Sequence, residues 1–135
     1  MKKLLSLVLG AMFMITACNK KPAETFAGKE YKLADANPGV EITLGFAANE
    51  PRFFGKAAVN RYFGNYTVEG DKLKLGAAGS TMMAGPKELM EAEQNYLKAL
   101  SMVESYKLNG KKLAIKTSDG KTLVFDEIGQ VKEDK

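Results

Sequence analysis

"NYTVEGDKLKLG", residues 65–76, alternates apolar and polar side chains on both sides of a glycine. Tyr66 and Val68 precede a turn at Glu69-Gly70-Asp71, Leu73 and Leu75 follow it, and Lys72 and Lys74 take the opposite face. A period of two is that of a half-buried strand, and two such runs around a tight turn make a hairpin. "SYKLNGKKLAI", residues 105–115, has the same build: Tyr106 and Leu108, a turn at Asn109-Gly110, then Leu113 and Ile115. The two hairpins match at a constant offset, Tyr66 with Tyr106, Gly70 with Gly110 and Leu73 with Leu113. An old duplication and the common design of hairpins both account for that match. A third turn at Asp119-Gly120 precedes another alternating run, residues 122–125. Asn-Gly and Asp-Gly suit a type I′ turn, whose two central residues both need positive φ. Upstream, "VEITLGF", residues 40–46, places Val40, Ile42, Leu44 and Phe46 on one face.

One segment departs from this period. "GPKELMEAEQNYLKALSMV", residues 85–103, is rich in helix formers, and Pro86 suits the first helical position, where its missing N–H is not needed. Leu89, Tyr96, Leu100 and Val103 recur at helical spacing, with Met90 and Leu97 beside them. Glu91, Gln94, Asn95 and Lys98 take the other side. Several short antiparallel strands and a single helix predict a mainly β fold: a small antiparallel, partly open β-barrel-like sheet flanked or plugged by an α-helix.

The chain begins differently. Lys2 and Lys3 precede an apolar run from Leu4 to Ile15, too short for the ~20 residues that a membrane-spanning helix needs. Ile15-Thr16-Ala17-Cys18 then resembles the lipobox of bacterial lipoproteins, in which the cysteine sulfur receives a diacylglyceryl group and the preceding peptide bond is cut. Cys18 is the only cysteine, so it has no disulfide partner in the chain. Residues 1–17 are read as a lipoprotein signal peptide and 18–25 as the lipidated cysteine with its tether. Residues 26–128 form the domain, and 129–135 a polar tail. Fully extended, the tether after Cys18 reaches at most ~25 Å, which places the domain close to a membrane surface. Asn19, rather than Asp, follows the cysteine. By resemblance to sorting in Gram-negative bacteria, this directs the lipoprotein to the outer membrane, facing the periplasm.

Composition narrows the chemistry. With Lys2 and Lys3 set aside, 18 basic residues stand against 16 acidic ones and no arginine cluster is present, so nucleic acid is not an expected partner. The chain has no histidine, and its one thiol is assigned to lipid. That excludes histidine triads, histidine metal sites and cysteine nucleophiles. Asp35, Asn37 and Glu41 lack the spacing of a calcium loop, and Pro38-Gly39 marks a turn among them. Met82, Met83, Met90 and Met102 are read as core packing rather than a copper site. Ser80 and Thr81 are read as partners for backbone groups ahead of the helix.

Two blocks, "GKAAVNRYFGNY" (55–66) and "GAAGSTMMAGPKELMEAEQNYL" (76–97), resemble the META domain of HslJ-like proteins, also described as DUF306. The resemblance rests on Asn60-Arg61-Tyr62, Gly64, Tyr66, Thr81, Met83-Ala84, Glu93 and Leu97. It implies a β-barrel-like domain with one helix, in an envelope or secreted protein without a defining enzymatic activity. It also implies a role in stress tolerance, assembly, secretion or motility. Val59 and Gly85 stand where the family often has two cysteines, and Met82 replaces a basic residue. If relatives join those cysteines in a disulfide, Val59 lies beside Gly85 here.

The expected function is therefore a lipid-anchored, non-enzymatic envelope protein that binds another envelope component. A tethered inhibitor of a hydrolase such as lysozyme, or a carrier of a small apolar ligand, are the alternatives. Candidate contact residues are Phe53, Asn60, Arg61, Tyr62 and Phe63. Asn60-Arg61 offers either an anion site at a strand end, or a turn Asn with an Arg covering a tyrosine ring. No catalytic residue, metal or cofactor is expected, and the membrane contact is the lipid on Cys18.

Overall fold

The computed structural model describes residues 25–131. The signal peptide, Cys18, the tether up to residue 24 and the last four residues of the tail lie outside the described residues.

Alternating apolar residues produce nine strands: β1 (Lys29–Leu33), β2 (Thr43–Phe46), β3 (Arg52–Ala57), β4 (Asn60–Glu69), β5 (Lys72–Leu75), β6 (Gly79–Ser80), β7 (Val103–Asn109), β8 (Lys112–Thr117) and β9 (Thr122–Gln130). Among the described residues one helix, α1 (Lys87–Leu100), stands between β6 and β7. The sheet is antiparallel, and the additional β3–β4 pairing closes eight of its strands into a barrel in the order β1-β2-β3-β4-β5-β7-β8-β9. The ninth, β6, pairs only with the first part of β4. Closure removes edges that would otherwise invite pairing with other chains. The ring is weakest between β5 and β7, where only Lys72 faces Ser105, because α1 is inserted in the connection on that side.

Aromatic side chains fill the interior from both ends. Phe26 stacks against Phe46, Tyr66 and Tyr106 at ring-centre distances of 4.2, 5.5 and 5.0 Å. Those rings come from β2, β4 and β7, so Phe26 plugs one mouth. At the other mouth Tyr96 of α1 meets Tyr62 at 5.6 Å and Phe125 at 6.4 Å. β4 and β9 are four places apart in a ring of eight. The helix therefore lies across the opening and plugs it. Tyr31, Leu44, Phe53, Leu73, Leu113 and Ile115 complete the core between the plugs. Burying each such side chain contributes ~1.5–3 kcal/mol before conformational entropy is subtracted.

Several local expectations are corrected. Gly70 and Gly110 each have φ 62°, and neither Asp71 nor Lys111 has positive φ. The turns are thus Gly-Asp and Gly-Lys with glycine first, the pattern of type II′ rather than type I′. Val68 is 46% exposed because β4 runs past the end of the barrel there. Val40 packs against the core from outside β2. The helix starts one residue after Pro86, which is its N-cap, and Val103 already belongs to β7. Its inward face is Glu93, Tyr96, Ala99 and Leu100, with Leu89, Met90 and Leu97 only half-buried. Met82 and Met83 are exposed, at 91% and 55%, and do not pack in the core. β9 continues to Gln130, past the expected domain end at 128, because Gly129 and Gln130 pair with Glu30 and Lys29 of β1.

Candidate partner-binding face

The β3–β4 hairpin carries all five candidate contact residues, and the pleat divides them. Phe53, Asn60 and Tyr62 point inward and are buried, whereas Arg61 and Phe63 point outward and are exposed. Phe53, Asn60 and Tyr62 are thus withdrawn as surface contacts. The outward row that replaces them is Arg52, Phe54 and Lys56 on β3 with Arg61, Phe63 and Asn65 on β4. Phe54 lies directly opposite Phe63, and Lys56 directly opposite Arg61.

Asn60 is neither a positive-φ turn residue nor an anion site. The turn strain falls on Ala58, with φ 70°, the one described non-glycine residue in that region. Asn60 belongs to β4, and its amide pairs with the backbone of Met83 as a peptide group of a neighbouring strand would. Its Oδ1 accepts the Met83 N–H at 2.6 Å, and its Nδ2 donates to the Met83 carbonyl at 3.1 Å. The Thr81 hydroxyl donates to Asn60 Oδ1 at 2.8 Å and accepts the Arg61 N–H at 3.1 Å. Glu93 closes this network from the helix. Its Oε1 accepts the N–H groups of Val59 and Asn60 at 3.1 and 2.7 Å, and its Oε2 accepts Asn60 Nδ2 at 2.6 Å. A buried carboxylate needs such donors, and here they fasten the helix to the β3–β4 turn. The reading of Thr81 as a backbone partner thus corresponds to a bond, though to Arg61 rather than to the helix N-terminus, which has no side-chain cap.

Tyr62 is held the same way. Its hydroxyl donates to the Thr43 carbonyl at 2.6 Å and lies 2.6 Å from the Tyr96 hydroxyl. Burial pushes both hydroxyls well above the ordinary phenol range, and for Tyr62 the neighbouring Tyr96 adds to the rise.

The outward side chains lie over the neighbouring strands instead. A Cβ on Gly45 would stand 2.6 Å from the Phe54 ring, and one on Gly79 would stand 3.0 Å from the Phe63 ring. These two glycines let the rings lie down over the neighbouring strands. Between them runs an open groove of about 480 Å³, lined by Thr43, Phe54, Lys56, Arg61 and Phe63 together with Glu30 and Glu41. Like charges directly opposite across a strand pair are destabilising. Lys56 and Arg61 nevertheless face each other, and neither forms an ion pair among the described residues. Arg52, at the far end, lies 3.9 Å from Glu50. Among the described residues, no three His, Cys, Asp or Glu side chains converge as metal ligands would.

The sequence marks Phe53, Phe54, Tyr62 and Phe63 as an aromatic-rich stretch with one inward and one outward face, but the candidate contacts leave out Phe54 and Lys56, which parity would have found. Counting back in twos from Tyr66 places Gly64, Tyr62 and Asn60 inside and Arg61 and Phe63 outside, and the hairpin register then fixes β3.

The family model of the META domain matches residues 22–130. Among solved structures, an NMR structure of a protein from Burkholderia xenovorans is similar, with 22% identity and a TM-score of 0.65, over 82% of this chain and 96% of that one. A crystal structure of a DUF4847 family protein from Bacteroides vulgatus has 14% identity and a TM-score of 0.56, over 78% and 96%. These likenesses concern the fold alone. No curated protein matches the sequence.

Proposed function

Since this chain belongs to the META domain family, we propose that it is a lipid-anchored, non-enzymatic envelope protein that binds another envelope component through the outer face of β3 and β4. The observation that carries the reading is the like-charged Lys56–Arg61 pair, which has no ion-pair partner among the described residues and lies one outward step along the hairpin from the Phe54–Phe63 pair. Two cations held side by side lower stability, and an anionic group seated between them would relieve the repulsion. Phe54 and Phe63, the next outward pair along the hairpin, would add apolar contact beside it. Such a face suits an acidic segment of a protein engaged in envelope assembly, secretion or stress tolerance. The lipobox at Cys18, and Asn19 after it, favour an outer-membrane anchor that holds the domain near its partner. A non-enzymatic role is favoured by the lack of histidine and by Glu93 being occupied with three donors. The carrier alternative needs an empty apolar interior, and the two aromatic plugs and the core occupy that space.

The test is a photo-crosslinking amino acid in place of Phe63 in intact cells. It should capture one envelope protein, and Lys56→Glu with Arg61→Glu should abolish the capture. Equal capture from a position on the opposite side of the barrel, such as Lys116, would refute a specific face. Anchoring is checked separately: radiolabelled palmitate should enter the wild-type chain and not the Cys18→Ser variant.

A further inference from the structure

The strand beside β4 is interrupted, and its second part has an open edge. β5 and β6 both run antiparallel to β4, with Leu75 opposite Tyr66 and Gly79 opposite Phe63. The Thr81 N–H continues the ladder to the Arg61 carbonyl at 3.0 Å, and the Asn60 amide holds both backbone groups of Met83. Residues 79–83 are therefore pinned in extended form along one side. Gly79, Thr81 and Met83 direct their hydrogen-bonding groups to β4. Ser80 and Met82 direct theirs the other way, and no described residue bonds to them there. β7 covers the outer edge of β5 at Lys72, but no strand among the described residues covers β6.

Natural edge strands are defended by charge, proline or a covering element. Apart from the shortness of β6, this one has none of these: residues 76–86 carry no charge and contain no proline before Pro86, and Met82 stands 91% exposed. Cations bracket the edge instead. Lys74 precedes it, Lys87 follows it and Arg61 lies beside Thr81, and none of the three forms an ion pair among the described residues.

We propose that the free edge at Ser80 and Met82 accepts an added β-strand from a partner protein, an extended uncharged segment of about five residues flanked by acidic ones. This rests on the reading that the chain binds another envelope protein, and it names the mode of contact. Backbone groups of the incoming strand meet those of Ser80 and Met82, while its acidic flanks meet Lys74, Arg61 and Lys87. A strand already held straight by Asn60 loses little freedom on binding, which favours affinity. A second copy of this chain is a poor occupant, because pairing two such edges sets the same cations against one another.

The experiment uses the full chain, isotope-labelled and solubilised in detergent, with the blocked peptide Glu-Val-Thr-Val-Thr-Val-Glu as probe. Binding should shift the Ser80 and Met82 amides and slow their hydrogen exchange, and replacing both peptide glutamates by lysine should abolish it. Met82→Pro removes an N–H that faces the peptide and leaves the β4 ladder untouched, so affinity should fall at least tenfold. Arg61→Glu, which leaves Lys74 and Lys87 in place, should weaken binding of the glutamate peptide, which keeps the test decisive if Met82→Pro folds poorly. No change at Ser80 and Met82, or unaltered affinity in a folded Met82→Pro chain, overturns the proposal. Concentration-dependent protection of the same amides without peptide would assign the edge to a second copy and overturn the partner assignment. Capture at Phe63 that persists in Met82→Pro would leave the binding face standing while removing this mode.

Discussion

Exchanging the acid and the amide at the buried junction between helix and barrel gives a quantitative test of how the domain is held together. In Glu93→Gln, the amide oxygen can still accept the Val59 and Asn60 N–H groups. The new NH₂ would stand 2.6 Å from the Asn60 Nδ2 donor. Asn60 cannot turn to meet it, because Met83 and Thr81 fix the orientation of its amide. One charge-assisted bond is lost and two donors collide, which costs about 2–3 kcal/mol. Asn60→Asp is worse: it sets two carboxylates at the same spacing and removes the donor to the Met83 carbonyl, about 3–5 kcal/mol. That cost should shrink on acidification, because one shared proton turns repulsion into a hydrogen bond. The double variant Asn60→Asp/Glu93→Gln restores a donor opposite an acceptor and leaves only the Met83 carbonyl short. Its loss should be about 1–2 kcal/mol, far below the sum of the single changes. Urea unfolding followed by near-ultraviolet circular dichroism of the tyrosines measures all four proteins. Additive losses, or a Glu93→Gln protein as stable as wild type, would refute the network.

A Cβ on Gly85 would lie 3.7 Å from that of Val59, within the usual ~3.5–4.5 Å of a disulfide. Val59→Cys/Gly85→Cys should therefore oxidise spontaneously and, by closing a loop of about 27 residues, raise stability by up to about 3.5 kcal/mol. Thiol titration and a reduced-versus-oxidised melting comparison check this. Lys56→Glu should replace a like-charge pair with an exposed ion pair to Arg61, stabilising the domain by about 0.2–1 kcal/mol in thermal melts while abolishing capture at Phe63. Tyr62 and Tyr96 hold their protons above the ~10 of an unfolded tyrosine. Their contribution to stability is thus complete below that pH and is lost as pH rises through the folded values. Spectrophotometric titration at 295 nm should show them ionising together with unfolding.

The strands were legible where alternation continued through a run: Ile42, Leu44 and Phe46, or Leu113 and Ile115, are inside as their spacing requires. The neighbourhood of Val59 and Gly85 was legible only through the family's paired cysteines. Asn60 was misread because a polar residue was assumed to face solvent, whereas the position of Asn60 in the pleat places it inside. Its partner Glu93 lies 33 residues away, beyond the reach of any local pattern. A separation of 23 residues likewise hides the exposure of Met82 and Met83: their segment is held extended by Asn60. The outward row was within reach, since the parity that buries Tyr62 also exposes Arg61 and Phe63.

The narrow joint between β5 and β7 gives the barrel an uneven rhythm of opening. β7 and β8 are paired at six positions, but β5 and β7 at Lys72 and Ser105 alone, supported by the Tyr106 N–H to the Asp71 carbonyl at 3.0 Å. Parting there breaks no hairpin. The ring can unlatch into a curled eight-stranded sheet while Tyr96 stays between Tyr62 and Phe125 and keeps the two halves in hand. The Tyr106 amide reports that breathing, exchanging through local opening. The amides of β8, bonded on both sides, wait for global unfolding.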